Sequence, residues 1–363
     1  MLVITITKSS YYKNEIQGGI MCGIWARRGS GKLLAVYALV FISTLAACGG
    51  GGGGGANGGS PAAGPTGPSK VFVADSVNAI VVSSANANPS PGTFTLERTI
   101  SGPSVSNIMP DMAYDSAADR LYIVNNRSIA VVDHASTATG LVAPARIISS
   151  PSIVSTIGVI SLDAVKDLLY VADGAMNVLV FNNVSTANGP TIPSRTLTIT
   201  RVSGPVSAND LFVDTTRDIL YVSGHVGGAG GVNKVILAYD QASTITDPIV
   251  ANRELTFTES IWHIVGDSAN DRLFVSDNGA ATVMVFDAVS IANGPGVPAR
   301  TINLPDLAQR LALAPVSDRL YAITANTLGV HVINGASMAN GSVPITLVTS
   351  PSAGSLTAIA VAP

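Results

Sequence analysis

Asp167-Leu168-Leu169-Tyr170-Val171-Ala172-Asp173 decides how this chain is read, because it recurs. Asp119-Arg120-Leu121-Tyr122-Ile123-Val124 precedes it, and Asp218-Ile219-Leu220-Tyr221-Val222, Asp271-Arg272-Leu273-Phe274-Val275-Ser276-Asp277 and Asp318-Arg319-Leu320-Tyr321-Ala322 follow. Ser69-Lys70-Val71-Phe72-Val73-Ala74-Asp75 is a sixth copy with a weaker start. A short apolar run rich in β-branched and aromatic residues, bounded by turn formers, reads as a buried strand. A fixed period near fifty residues is the mark of a repeat architecture.

Outward from each copy the same units return. A second alternating run comes next, as in Val178–Phe181 and Val283–Phe286. Then comes a polar turn of the type Val-Ser-Thr-Ala-Asn-Gly-Pro, clearest at Val184–Pro190, whose Asn-Gly pair supplies positive φ angles. A third run starts with arginine at Arg98, Arg146, Arg195, Arg253 and Arg300, whereas the sixth copy has Thr346. A fourth, such as Leu211-Phe212-Val213-Asp214, leads into the next copy. Four strands per repeat predict an all-β fold, a six-bladed β-propeller of four-stranded blades over residues 70–363. The first copy lacks its leading strand, and Leu356–Val361 follows the sixth copy alone. The C-terminal strand is therefore expected to join the first blade and close the ring, which removes two exposed strand edges.

The N-terminal part has a different composition. Arg27, Arg28 and Lys32 precede the apolar run Leu33–Leu45, which ends in Leu45-Ala46-Ala47-Cys48. A basic patch, a short apolar stretch and small residues describe a secretory signal over residues 1–47, and Met21 reads as a more natural start than Met1. Gly29-Ser30-Gly31-Lys32 echoes a phosphate loop but lacks its first glycine and its strand. Gly49–Gly55 and the Gly, Pro, Ser and Ala residues to Ser69 offer little to pack, so 48–69 is expected to be a flexible tether. The other cysteine is Cys22, so the propeller contains no thiol or disulfide. Five bases and one acid lie before Cys48, leaving 15 bases and 22 acids, a net charge of −7. That balance gives no footprint for nucleic acid.

Two resemblances follow from these residues. Leu45-Ala46-Ala47-Cys48 resembles the lipobox of bacterial lipoproteins, which implies acylation of Cys48, attachment to a membrane and a place in the cell envelope. Gly49, where inner-membrane members often carry Asp, implies the outer membrane. Leu169-Tyr170-Val171-Ala172-Asp173 with Val178-Leu179-Val180-Phe181, and Leu121-Tyr122-Ile123-Val124-Asn125-Asn126, resemble the NHL and YVTN propeller repeats. That resemblance covers 70–363 and specifies the fold; family members include binding modules, scaffolds and some hydrolases.

Residues that repeat at one position in every blade read as structure. The arginines are expected to pair with an acid or carbonyl near the blade edge. Asp119, Asp167, Asp218, Asp271 and Asp318 are expected to cap the turn between first and second strands. Phe72, Tyr122, Tyr170, Tyr221, Phe274 and Tyr321 are expected between blades. Polar residues that do not repeat are the functional candidates. On the face formed by the loops entering the inner strands they are Asp75, Asn125, Asn126, Asp173, Asp210, His225, Trp262, His263, Asp277 and Arg310. Trp262-His263 would stack on and hydrogen-bond a ligand; a filled axial channel is the alternative. His225 falls in an expanded loop, Gly224 to Asn233.

The four histidines, His134, His225, His263 and His331, have no metal-ligand spacing, and no catalytic constellation stands out. The expectation is a binding or scaffold module for an envelope protein, peptide or glycan, without a cofactor. The alternative is a metal-dependent hydrolase resembling the lactonase-type propellers, with Ca²⁺ held by Asp75, Asn125, Asp173, Asp210 and Asp277.

Overall fold

The computed structural model describes residues 14–16, 19–27, 33–38, 70–75, 79–84, 92–93, 98–102, 108–174, 176–201, 204–226, 233–349 and 355–362. The chain divides into two units, Met1–Pro61 and Ala62–Pro363. In the first, Asn14–Ile16, Gly19–Arg27 and Leu33–Ala38 form an antiparallel sheet. Cys48, the cleavage point and the 48–69 tether lie outside the described residues. No described helix is long and apolar enough to cross a membrane.

The second unit is all-β, a propeller of four-stranded antiparallel sheets. Five sheets are built from contiguous chain. Their innermost strands are Ile108–Asp115, Val159–Asp163, Gly204–Asp214, Ile261–Asp267 and Ala308–Ala314, which open the second to sixth blades in chain order. The remaining sheet, the first blade, is composite. Its inner strand is Leu356–Val361, which pairs antiparallel with Lys70–Asp75, so that Ile359 faces Val73 and Val361 faces Val71. Ala79–Ser84 and Arg98–Ser101 complete it.

Ring closure has two further witnesses. Buried apolar residues form six clusters, one at each junction between neighbouring sheets. One of them joins Tyr321, Ile323, Val330 and Val332 of the sixth blade to Val71, Val73 and Ile359 of the first. The second witness lies on the outer edge. Gly92–Thr93, from the first blade, pairs parallel with Val348 and Thr349 of the sixth. The same strap recurs where Gly140–Leu141, Gly189–Pro190 and Gly294–Pro295 lie along the outer strand of the preceding blade. Each strap covers a row of backbone groups that would otherwise template a foreign strand.

This gives the Asn-Gly signal a second role. Gly189 and Gly294 have φ of +71° and +96°, while Asn188 and Asn293 accept the backbone N–H of Ile147 and Glu254 in the blade before, at 3.2 and 3.0 Å. The motif turns the chain and also clasps its neighbour.

The repeating arginines behave as expected. Arg146, Arg253 and Arg300 pair with Asp133, Asp240 and Asp287 at the end of the adjacent strand; Arg98 and Arg195 donate to carbonyls in the next blade. The six aromatic residues are buried at the blade junctions. The repeating aspartates need a correction. Their backbones occupy the turn with φ between +49° and +58°, but their carboxylates leave it. Asp271 accepts the N–H and hydroxyl of Ser290 at 2.9 and 2.7 Å, and Asp119, Asp167, Asp218 and Asp318 hold Ser136, Ser185, Ser243 and Ser337 likewise. The local turn is capped instead by the last residue of the inner strand, as when Asp214 accepts from Thr216 and Arg217. A left-handed backbone rotates the repeating carboxylate away from its own turn and toward the polar loop that follows Asn177–Asn182 and its equivalents.

Candidate functional site

Inner strands converge on the axis, so their side chains meet from all blades. Several carry a β-bulge there: register slips between Ala208 and Asp210, Ile261 and Ile264, Ala308 and Arg310, and Leu356 and Ala358. A bulge re-aims one side chain without ending the strand. Below the bulges lies a cavity of about 210 Å³. Asp111, Asp210, His263 and Arg310, from the second, fourth, fifth and sixth blades, line it together with apolar residues including Ile160, Leu211, Leu311 and Ile359.

The polar residues form a chain across blades. Asp210 accepts the N–H of Leu211 at 2.8 Å and of Ile264, in the next blade, at 2.9 Å. The same carboxylate oxygen lies 3.1 Å from His263 Nδ1. Arg310 packs its guanidinium against that imidazole, with one nitrogen close to Nε2 and 2.9 Å from Nδ1. A guanidinium only donates, so the ring places Nδ1–H toward Asp210 and offers Nε2 to Arg310. Burial, reinforced by Arg310, pushes the His263 pKa down to about 4 against the pull of Asp210, so the ring is neutral at pH 7. Burial also lowers the pKa of Arg310 itself.

Asp111 differs. Among the described residues its carboxylate accepts two backbone N–H groups, from Met112 at 2.9 Å and from Ile160 in the next blade at 2.7 Å. Burial and the charge of Asp210 outweigh Arg310 and these bonds, raising its pKa to about 7. A carboxyl poised at neutrality in a cavity is the kind of group functional sites contain.

The structure divides the predicted face into three groups. Asp210, His263 and Arg310 meet at the axis. His225 and Trp262 form a second pair, ring centroids 5.8 Å apart at 73°. Trp262 keeps 38% of its surface exposed while His263 keeps 2%, and the two rings stand in edge contact with centroids 6.4 Å apart at 64°. His263 is engaged by Asp210 and Arg310, which accounts for its burial. His225 is not in a loop: Gly224–Val226 and Asn233 extend the fourth blade's hairpin, with Val226 paired to Asn233. Gly224 serves close strand approach, since a Cβ there would lie 2.4 Å from the Ser207 carbonyl oxygen.

The third group serves the turns between second and third strands. Asp173 accepts the N–H and amide of Asn177 at 3.3 and 3.2 Å, and Asp277 accepts the N–H of Gly279 at 2.8 Å. Asn126 stands at φ +55° and accepts from Thr156 at 3.3 Å, the Asn125 carbonyl accepts from Ser128, and Asp75 is buried at its strand end. Among the described residues, no three His, Cys, Asp or Glu side chains are grouped to hold a metal ion. Of the oxygen donors considered for Ca²⁺, Asp210 lines the axial cavity, whereas Asp75, Asn125, Asp173 and Asp277 lie at strand ends and turns.

Asp111 is the site residue that repeat reasoning passed over. A signal was available: Asp111 stands four residues before Asp115, as Asp210 stands before Asp214 and His263 before Asp267. Register within the inner strand marks the axial position, whatever residue type fills it.

No family model and no curated protein matches this chain. Among solved structures, a chain of the nidogen/laminin complex is similar, with 12% identity and a TM-score of 0.53 over 81% of this chain and 98% of that one. A chain of Kuenenia stuttgartiensis hydrazine synthase has 13% identity and a TM-score of 0.49 over 77% and 80%. At 12% identity the first likeness speaks for the propeller fold alone.

Proposed function

We propose that the chain is an exported propeller, tethered to the outer membrane through lipidated Cys48, that binds an envelope protein or peptide beside Trp262. The observation that carries the binding surface is the contrast between repeated and unrepeated polar groups. Repeated aspartates, serines, arginines and asparagines are committed to clasps within and between blades. Trp262 is exposed over 38% of its surface and unrepeated, set against His225 on the extended hairpin of the fourth blade. Amphipathic aromatic residues of this kind anchor protein interfaces. The fold shared with a chain of the nidogen/laminin complex accords with a protein partner, and Leu45-Ala46-Ala47-Cys48 supports the tether.

Two measurements test this. Palmitate should label the wild-type protein, and Cys48→Ser should lose the label and move from the membrane to the soluble fraction. A photo-crosslinking amino acid at exposed Glu259, in the loop before Ile261, should yield one discrete protein adduct in intact cells, lost in Trp262→Ala. A glycan adduct, or none, would refute the protein-partner reading; an unlabelled protein would refute the tether.

A further inference from the structure

We propose that the axial cavity binds a small organic monocation, a primary ammonium on a short apolar chain, with Asp111 as its counter-ion. This goes beyond the partner surface at Trp262 and stands or falls separately from it.

Charge balance carries the argument. The cavity's polar end holds two carboxylates, one guanidinium and a neutral imidazole. With both carboxylates ionised, one negative charge has no fixed counter-charge. Asp210 has His263 beside it, and the one guanidinium, Arg310, is shared between both carboxylates. Asp111 has two backbone N–H groups, and among the described residues no cationic side chain lies within ion-pairing distance of it. At Asp111 the repulsion from Asp210 exceeds the attraction of Arg310. A buried carboxylate so placed keeps a proton up to neutrality, and a bound ammonium would take that proton's place with one positive charge and three donors.

The surroundings select among cations. Apolar walls from Ile160, Leu211, Leu311 and Ile359 suit a short hydrocarbon chain. An inner-sphere metal is disfavoured, because Arg310 occupies the imidazole nitrogen that would ligate it. A carboxylate ligand would confront both Asp111 and Asp210. The backbone bonds already fix the Asp111 carboxylate, so binding requires little reorganisation.

Calorimetry with the full chain and n-butylammonium tests this, with n-butanol and butyrate as controls. At pH 7 one saturable site is expected for butylammonium and none for the controls. Because Asp111 must ionise, about half a proton should be released per ligand at pH 7, and more at pH 6, read from the difference between phosphate and HEPES buffers. Asp111→Asn should weaken binding at least about tenfold. Absence of binding, binding without proton release, equal affinity in Asp111→Asn, or preference for butyrate would each overturn the proposal. Should Asp111→Asn fail to fold, the proton count on the wild-type protein decides alone.

Discussion

Removing residues 356–363 should undo the ring. The inner strand of the first blade buries Leu356 and Ile359, each 5% exposed, with Ala358 and Ala360. Burial stabilises by about 1.5–3 kcal/mol for each large side chain and about 0.8 for each methyl-sized group, so the strand contributes roughly 5–8 kcal/mol. Its lost pairing with Lys70–Asp75 adds about 1 kcal/mol per hydrogen bond. A whole domain is stable by only about 5–15 kcal/mol, so the deletion should leave little folded protein at 25 °C. Ile359→Ala grades the effect, with an expected loss of about 2–5 kcal/mol. Urea unfolding can be followed by the emission of Trp262, the only tryptophan after Cys48. The deleted protein should also self-associate, because Lys70–Asp75 becomes an open edge, and a peptide spanning residues 354–363 should restore the monomeric fold. A deleted protein that is monomeric and unfolds at the wild-type midpoint would refute the closure argument.

Three further outcomes follow from particular contacts. Asp271→Ala removes the acceptor of both Ser290 donors and should cost about 1–3 kcal/mol, with hydrogen exchange accelerated first around Val289–Ile291; unchanged exchange there would contradict the clasp. Gly266→Ala should destabilise by about 1–3 kcal/mol, because a Cβ would sit 2.1 Å from the Phe212 ring; a neutral melting result would show that ring to be free to move. Stability should also depend on pH through the axis. Asp111 titrates near 7 when folded, above its ordinary 3.8, so its stabilising contribution is full below about pH 4 and lost as pH rises through 7. His263 titrates near 4, below its ordinary 6.5, so its contribution is lost as pH falls from 6.5 through 4. The two slopes oppose each other between pH 4 and 7.5. From pH 6.5 to 7.5 the Asp111 slope exceeds that of His263, leaving a net loss of about 0.3 kcal/mol per pH unit, and Asp111→Asn should reverse its sign in urea titrations over that range. A falling slope kept in that variant would remove Asp111 from the account.

Much of this protein is legible in its sequence because each blade solves the same packing problem. A strand covered on both faces needs an apolar run such as Leu168–Ala172, which announces itself six times, and a clasped outer edge favours an arginine, present in five of the copies, and an Asn-Gly pair. The strand that closes the first blade is legible too, as a copy present at one end and missing at the other. Other features were decided only when the chain folded. The left-handed backbone at Asp271 and its equivalents turns their carboxylates from the local turn to a serine some twenty residues away, which spacing alone does not reveal. Trp262 and His263 keep their rings in edge contact yet differ in exposure, because Asp210 and Arg310 of other blades hold the imidazole at the axis. Asp111, Asp210, His263 and Arg310 follow one another along the chain at intervals of about 50 to 100 residues and form one site because four inner strands share an axis. Their protonation depends on burial and on charges from other blades, and those belong to the assembled ring rather than to any one repeat.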